Sequence, residues 1–193
     1  VSLDVIPPFP WFLNKPIELA VNDQPVMTRI VSSEWASYWR PLMARLREIW
    51  LAAPPGRLLV GIGGPPGTGK SVLAEQLNWL IFNGFMHKDA HSVALPMDGF
   101  HFPNAYLEQH TRKLPDGAEV PLNFVKGAPD TINAPDLKTH LERLRQRPKI
   151  VEWPGYSRFA HDVVQNKFRI PDVANIIFVD GNYLLVDRGP FHG

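Results

Sequence analysis

Between Ser33 and Trp50 the bulky residues Trp35, Trp39, Leu42, Leu46 and Ile49 recur at steps of four, three, four and three. That spacing lays one apolar stripe along a helix, with Ser32 or Ser33 as its amino-terminal cap. Pro41 lacks a backbone N–H, so it starts or kinks that helix. Ala52-Ala53-Pro54-Pro55-Gly56 ends it and marks a boundary. Further upstream, Ile17, Leu19 and Val21 alternate with polar positions, Asn22-Asp23 supplies a turn, and the pattern resumes through Val26 and Ile30. A short hairpin follows from that alternation.

From Arg57 onward the texture changes. Leu58–Ile62, Ser92–Leu95 and Ile176–Val179 are short apolar runs without alternation. Between and around them lie helical patterns, Ser71–Phe82 with Leu73, Leu77 and Leu80 inward, and Pro135–Arg147 with Leu137, Leu141 and Leu144 inward. Apolar strands linked through helices predict a three-layer α/β fold whose mostly parallel sheet is covered on both faces. Residues 1–56 form a Pro-rich arm and an amphipathic helix ahead of that unit, and residues 57–193 form the core. Residues 99–134 read mostly as loop, with one short helix near Ala105–Gln109, and a loop of that length is more often functional than accidental.

Composition adds constraints. A chain of 193 residues fits one domain. Its 20 basic and 19 acidic residues are scattered, which argues against a nucleic-acid surface or a polybasic membrane surface. No apolar run approaches the ~20 residues that cross a bilayer. The absence of cysteine excludes disulfides, a thiol nucleophile and thiolate metal sites, and it agrees with the reducing cytoplasm. Proline, at 20 residues, is about twice its ordinary ~5% share. Pro7, Pro8, Pro10 and Pro16 hold the first residues as an extended arm, whose Phe9, Trp11 and Phe12 pack on the body or on a neighbouring subunit, a hint of a homodimer.

The clearest chemistry lies in Gly64-Pro65-Pro66-Gly67-Thr68-Gly69-Lys70-Ser71, which satisfies G-x-x-x-x-G-K-[ST] between a strand and a helix. Glycine lets the backbone curl with its N–H groups inward, at the positive end of the new helix, where a phosphate sits. Lys70 then places a cation beside the β and γ phosphates, and the Ser71 hydroxyl is a ligand for Mg²⁺. Two acids follow strands. Asp98 opens Asp98-Gly99-Phe100-His101, where it serves either as a proton acceptor for an attacking hydroxyl or as a turn cap before glycine. Asp180 ends Ile176–Val179, the usual place for an acid that holds the Mg²⁺ shell, or else for a strand-end turn acid.

Taken together, Gly64–Ser71, Pro96–His101, Lys126–Thr131, Trp153–Arg158 with His161-Asp162, and Asp180–Leu185 resemble the P-loop small-molecule kinases of the uridine kinase, phosphoribulokinase and bacterial pantothenate kinase group. Nucleoside- or fructose-type sugar kinase-like bacterial proteins are the nearest likeness. The resemblance covers about residues 57–187. It implies ATP and Mg²⁺ as cofactors, Lys70 and Asp98 in catalysis, and Ser71 with Asp180 at the metal. It also implies an acceptor held by Asp98, His101, Lys126, Tyr156, Arg158 and His161. Read from the residues alone, Tyr156 is equally a packed turn aromatic, Arg158 and His161 surface groups, and His101 a loop cap. Relatives commonly carry Glu at the Asp180 position and continue past Gly193 with a lid bearing arginines.

The expected reaction is transfer of the γ phosphoryl group of ATP to a hydroxyl of a small sugar- or nucleoside-like metabolite. The rival is a P-loop protein that binds or hydrolyses nucleotide without an acceptor. A GTPase is disfavoured, because neither Asn14-Lys15-Pro16-Ile17 nor Asn166-Lys167-Phe168-Arg169 supplies an Asn-Lys-x-Asp guanine motif.

Overall fold

A computed structural model describes residues 10–187; the Pro7–Phe9 part of the arm and the end of the chain at Phe191-His192-Gly193 lie outside them. The chain begins with an antiparallel hairpin, β1 (Ile17–Val21) and β2 (Gln24–Thr28), in which Val21 faces Gln24. Asn22 and Asp23 have φ of 49° and 62°, the paired left-handed conformation of a two-residue hairpin turn. The expected hairpin is therefore present, with Ile17, Leu19 and Val21 buried.

The first helix differs from expectation in two respects. It is built as α1 (Ser32–Glu34), a π-turn over Trp35–Trp39, and α2 (Arg40–Ala52), with Pro41 in the first turn of α2. Neither Ser32 nor Ser33 caps it, because the cap position is Val31. The Asn14 side chain instead accepts from the Ser32 backbone N–H at 3.2 Å and donates to the Ser32 hydroxyl at 2.6 Å. The Arg40 N–H reaches back to the Trp35 carbonyl, inserting one extra residue into the turn. The downstream face rotates accordingly. Met43 and Leu46 are buried, whereas Ile49 is 41% exposed.

The central sheet holds β3 (Leu58–Gly63), β4 (Ser92–Pro96) and β9 (Ile176–Gly181), all parallel, in the order β3-β9-β4. Helix α3 (Lys70–Phe82) joins β3 to β4 across the strand that lies between them. Alternate β9 side chains go to opposite faces. Ile176 and Phe178 join a core with α3, the hairpin and the α2 segment, while Ile177 and Val179 join a second core with α5 (Ala134–Gln146). On the α3 face Ala74, Leu77, Leu80 and Ile81 are buried, and Leu73 is partly buried. Phe12 is 1% exposed and packs edge-on against Trp35, Trp79 and Phe85, so the described end of the arm lies on its own domain.

Residues 99–134 are more ordered than a loop. They contain α4 (Asn104–Gln109), the small ribbon β5 (Thr111–Lys113) with β6 (Glu119–Pro121), and two 3₁₀ turns at Leu122–Val125 and Pro129–Thr131. A long antiparallel hairpin, β7 (Ile150–Ser157) and β8 (Asp162–Pro171), covers the second core and has no counterpart among the expected strands. Ile150-Val151-Glu152-Trp153 alternates exposed and buried in the structure, but Ile150 is apolar at an exposed position, so the residue types alternate only at Glu152. The register slips between Trp153 and Gly155, at Pro154, which has no N–H for the ladder. Among the described residues no helix is long and apolar enough to cross a membrane.

One buried polar side chain ties the second core together. Arg57 donates to the carbonyls of Ala174 at 2.9 Å, Leu144 at 3.4 Å and Pro171 at 2.9 Å, joining the end of α5 to the link between β8 and β9. Arg57→Met leaves three carbonyls short of a donor, and the expected cost is about 2–4 kcal/mol in urea unfolding. An unchanged midpoint and slope would show that water replaces the guanidinium there.

Candidate active site

The Gly64–Ser71 segment forms a turn that passes directly into α3. Gly67 and Gly69 carry φ of 78° and 83°, a conformation that glycine adopts without steric cost. Lys70 Nζ donates to the Pro65 carbonyl at 2.7 Å, and Thr68 Oγ1 donates to the same oxygen at 2.9 Å. The lysine is thus folded over the loop at the start of α3, a helix end whose free N–H groups favour an anion.

Parallel register fixes what stands beside this loop. Ile62 and Pro96 flank Asp180 from either side of the sheet. Ser71 Oγ donates to Asp180 Oδ2 at 2.6 Å, so the helix start and the tip of the central strand are joined by a short hydrogen bond to a carboxylate that is 8% exposed. Burial raises the Asp180 pKa above its usual value; the Ser71 bond opposes that rise, the Asp98 charge adds to it, and the Lys70 cation lowers it. Lys70, Asp98 and Asp180 therefore share one electrostatic neighbourhood. Ser71 and Asp180 are hard oxygen donors, and a carboxylate held out of water beside a second one suits a divalent cation. No group of three or more His, Asp or Glu among the described residues makes a metal site by itself, so phosphate oxygens would complete the shell.

Asp98 lies in a 3₁₀ turn, Met97–Phe100, immediately after β4. The fully buried Trp153 donates its Nε1 hydrogen to the Pro96 carbonyl at 2.9 Å, fixing the strand end from behind. A side chain at Gly99 would meet the Pro154 carbonyl oxygen at 2.3 Å, so only glycine lets β7 approach this closely. His101 Nδ1 lies 2.9 Å from the Asp98 carbonyl, and its ring is 5.9 Å from that of Tyr156.

The acceptor candidates fall into two groups. Lys126 Nζ donates to Asn104 Oδ1 at 2.6 Å and to the His161 carbonyl at 2.9 Å, and stands 4.9 Å from the Tyr156 ring centre. Lys126, Tyr156 and His101 are brought into one run of contacts leading to the Asp98 turn. Tyr156 belongs to β7, not to a turn. His161 enters through its backbone, at a φ of 51°, while its side chain and that of Arg158 lie exposed at the β7–β8 turn. The Lys126–Thr131 loop is pinned by Thr131, whose Oγ1 donates to the Ala128 carbonyl and accepts from the Gly127 N–H, and by the Tyr183 hydroxyl, which donates to the Gly127 carbonyl.

The chain is similar to known proteins over most of its length. No protein-family model matches the chain. YggC, an uncharacterized protein of Escherichia coli (strain K12), is 34% identical over 178 residues, 89% of this chain and 65% of the relative. A pantothenate kinase of Rhodopseudomonas palustris (strain TIE-1) is 29% identical over 168 residues, 86% of this chain and 49% of the relative. A candidate fructose transport system kinase from Silicibacter sp. TM1040 superposes with a TM-score of 0.62 at 28% identity, over 77% of this chain and 67% of that one. For the fold alone, a possible uridine kinase from Bacillus stearothermophilus gives a TM-score of 0.54 at 19% identity, over 79% of this chain and 75% of that one. The chain is thus similar in sequence to pantothenate kinases and to a fructose transport system kinase, and its fold is the α/β P-loop fold that these structural neighbours share. It spans 65% and 49% of the lengths of the two curated relatives named here.

The sequence pattern did not single out Trp153 and Asn104 as supports of this site, nor Glu75. Glu75 lies one turn after Ser71 on α3, a spacing that places both on one face. Burial raises its pKa, the Asn78 amide opposes, and Asp180 adds to the rise. A cavity of about 360 Å³ is lined by Ser71, Glu75, Asn78, Asp180, Asn22 and Arg169. Its lining also includes Val93, Ala94, Leu95 and Pro96 of β4.

A raised carboxylate binds its proton more tightly folded than unfolded. Its contribution to stability is therefore present at low pH and is lost as pH rises from about 3.8 through the higher native value. Asp180→Asn should raise the melting temperature of the ligand-free protein at neutral pH and flatten that decline. The same change should weaken Mg²⁺-dependent nucleotide binding by ~10-fold or more, measured by calorimetry. A variant that gains no stability and binds nucleotide normally would remove Asp180 from the metal site.

Proposed function

We propose that the chain is an ATP-dependent phosphotransferase acting on a hydroxyl of a small sugar- or nucleoside-like metabolite. The observation that carries this reading is the Ser71–Asp180 hydrogen bond, which joins the phosphate loop to the central strand tip with the Asp98 charge beside it. A protein that only binds nucleotide has no need of a further carboxylate placed on a neighbouring strand end.

In this mechanism the loop N–H groups and Lys70 hold the β and γ phosphates, with Lys70 exchanging the Pro65 carbonyl for phosphate oxygen. Ser71 and Asp180 would hold Mg²⁺, which would supply neutralisation of the phosphate charge. The acceptor lies between Asp98 and the Tyr156–Lys126 side. Its oxygen forms the new bond to the γ phosphorus as the bond to the bridging oxygen breaks and ADP departs, and Asp98 accepts the hydroxyl proton. The rate enhancement comes from positioning and charge neutralisation. A cysteine-free chain with this chemistry is suited to the cytoplasm, where ATP is supplied.

Lys70→Ala should lower ATP affinity by at least ~10-fold while the circular dichroism spectrum stays the same. Unaltered affinity would remove nucleotide from the reading. Asp98→Asn should keep ATP binding and lose ~10²–10⁴-fold in acceptor-dependent ADP release. Turnover that persists would make Asp98 a structural turn residue, and phosphate release without any acceptor would favour an NTPase.

A further inference from the structure

A cavity of about 360 Å³ opens at the carboxy end of α3, the end away from the phosphate loop. With 13 residues at ~1.5 Å each, the helix sets the two about 20 Å apart. Ile81, Phe82, Val93 and Val173 give the cavity an apolar lining. Its titratable lining has one sign: His87, Lys88 and His91 contribute to it, and no carboxylate does. Neither Lys88 nor His91 makes an ion pair among the described residues. His87 Nδ1 accepts from the Asp89 N–H at 3.1 Å, which leaves the hydrogen of the neutral ring on Nε2 as a donor. Two acids stand close by without lining the cavity: Asp89 lies 3.7 Å from His87 Nδ1, and the Asp172 charge acts on Arg57.

The carboxy end of a helix by itself disfavours an anion. Here the carbonyls of Trp79, Leu80 and Ile81 already accept from the N–H groups of Asn83, Phe85 and Gly84, each at 3.0 Å. The walls are also fixed before anything binds. Asn175 donates from Nδ2 to the Asp89 carbonyl at 2.7 Å, accepts from the His91 N–H at 3.0 Å, and donates its own N–H to the His91 carbonyl at 2.9 Å. Phe82 and Val173 nonetheless stay 87% and 49% exposed, so apolar surface is left in water beside a cluster of donors.

We propose that this cavity is a second small-molecule site, for an amphiphilic anion: a short apolar body carrying one carboxylate or phosphate. The apolar body covers Phe82, Val93 and Val173, and the head group meets Lys88, His91 and the His87 ring. The volume falls in the ~300–1,000 Å³ range of small-molecule sites, and the fixed walls limit what is lost in ordering them. No residue of the nucleotide cleft lines it, so the site stands apart from the phosphotransfer reading. Both α3 and β4 run from this cavity toward the cleft, β4 from Ser92 to Pro96, two residues before Asp98.

The test uses octanoate, octyl phosphate, 1-octanol and acetate on the whole chain, read by melting temperature and calorimetry. One or both amphiphilic anions should raise the melting temperature by about 2–4 °C at roughly ten times the dissociation constant, and which head group works tells carboxylate from phosphate. Octanol, which lacks the charge, and acetate, which lacks the chain, should shift it by less than ~1 °C. Lys88→Glu, a change at an exposed position, should weaken binding ~10-fold, and Val173→Trp, which fills the mouth, should abolish it while circular dichroism stays the same. Lys70→Ala should bind the anion as the unaltered chain does. Equal shifts with octanol and octanoate overturn the proposal, because the cavity then reads only apolar surface. Binding lost in Lys70→Ala overturns it by placing the anion at the phosphate loop, and no shift with any probe removes the site. Concentration-dependent sedimentation that Phe82→Asp abolishes, with no probe bound, would show a second copy of the chain on this surface instead. A failure to find ADP release leaves each of these outcomes as it is and counts only against phosphotransfer.

Discussion

A carboxylate on the middle strand of a three-stranded parallel sheet, taken out of water and hydrogen-bonded by the first turn of the neighbouring helix, organises this molecule. Asp180 sits where β9 emerges between β3 and β4, so register alone brings the phosphate loop to one side and the Asp98 turn to the other. Had β4 paired directly with β3, the two strand ends would be adjacent but without an acid between them. The strand order β3-β9-β4 makes the cleft.

The second constraint is that the Asp98 turn is built against chain that is distant in sequence. Trp153 holds the Pro96 carbonyl, Pro154 packs where a side chain at Gly99 would stand, and Asn133 donates to the Phe100 carbonyl at 2.7 Å. Lys167 extends this frame to the amino-terminal hairpin, since its ammonium donates to Asp23 and to the Tyr156 carbonyl. The β7–β8 hairpin therefore serves two purposes. Its inner face closes a hydrophobic core, and its far end carries Tyr156 and the turn that receives Lys126.

Function and stability pull against one another here. Burial raises the pKa of both Asp180 and Glu75; the Asp98 charge adds to the first rise and the Asp180 charge to the second. Perturbed carboxylates gathered in a cleft mark a functional site more often than a structural one, and a cation is what would offset their charge. Arg57 is the contrasting case. It is buried with three carbonyls satisfied and has no part in the cleft.

Local chemistry carried a good deal of this in the amino-acid order alone. The phosphate loop was legible because glycine at fixed offsets followed by Lys-Ser is a backbone requirement, independent of what packs around it. The β1–β2 hairpin was legible for the same reason, since Asn22-Asp23 tolerates the left-handed turn. The three strands of the central sheet showed themselves as short apolar runs, and the helices α3 and α5 through the period of their apolar residues. What depended on distant contacts did not show. The π-turn brings Met43 into the buried face of α2 beside Leu46 and leaves Ile49 exposed, which residue spacing alone does not show. The β7–β8 hairpin, interrupted by Pro154 and its bulge, has a pattern that makes sense only against α5 and the 3₁₀ turn at Asp98. Whether Asp98 caps its own turn or shares a field with Lys70, and whether Lys126 meets a carboxylate or only neutral oxygens, depends on partners up to 35 residues and more away. A chain's order specifies its own turns and periods, because those arise within a few bonds; electrostatic environment is a sum over everything the fold brings near, and only the folded chain performs that sum.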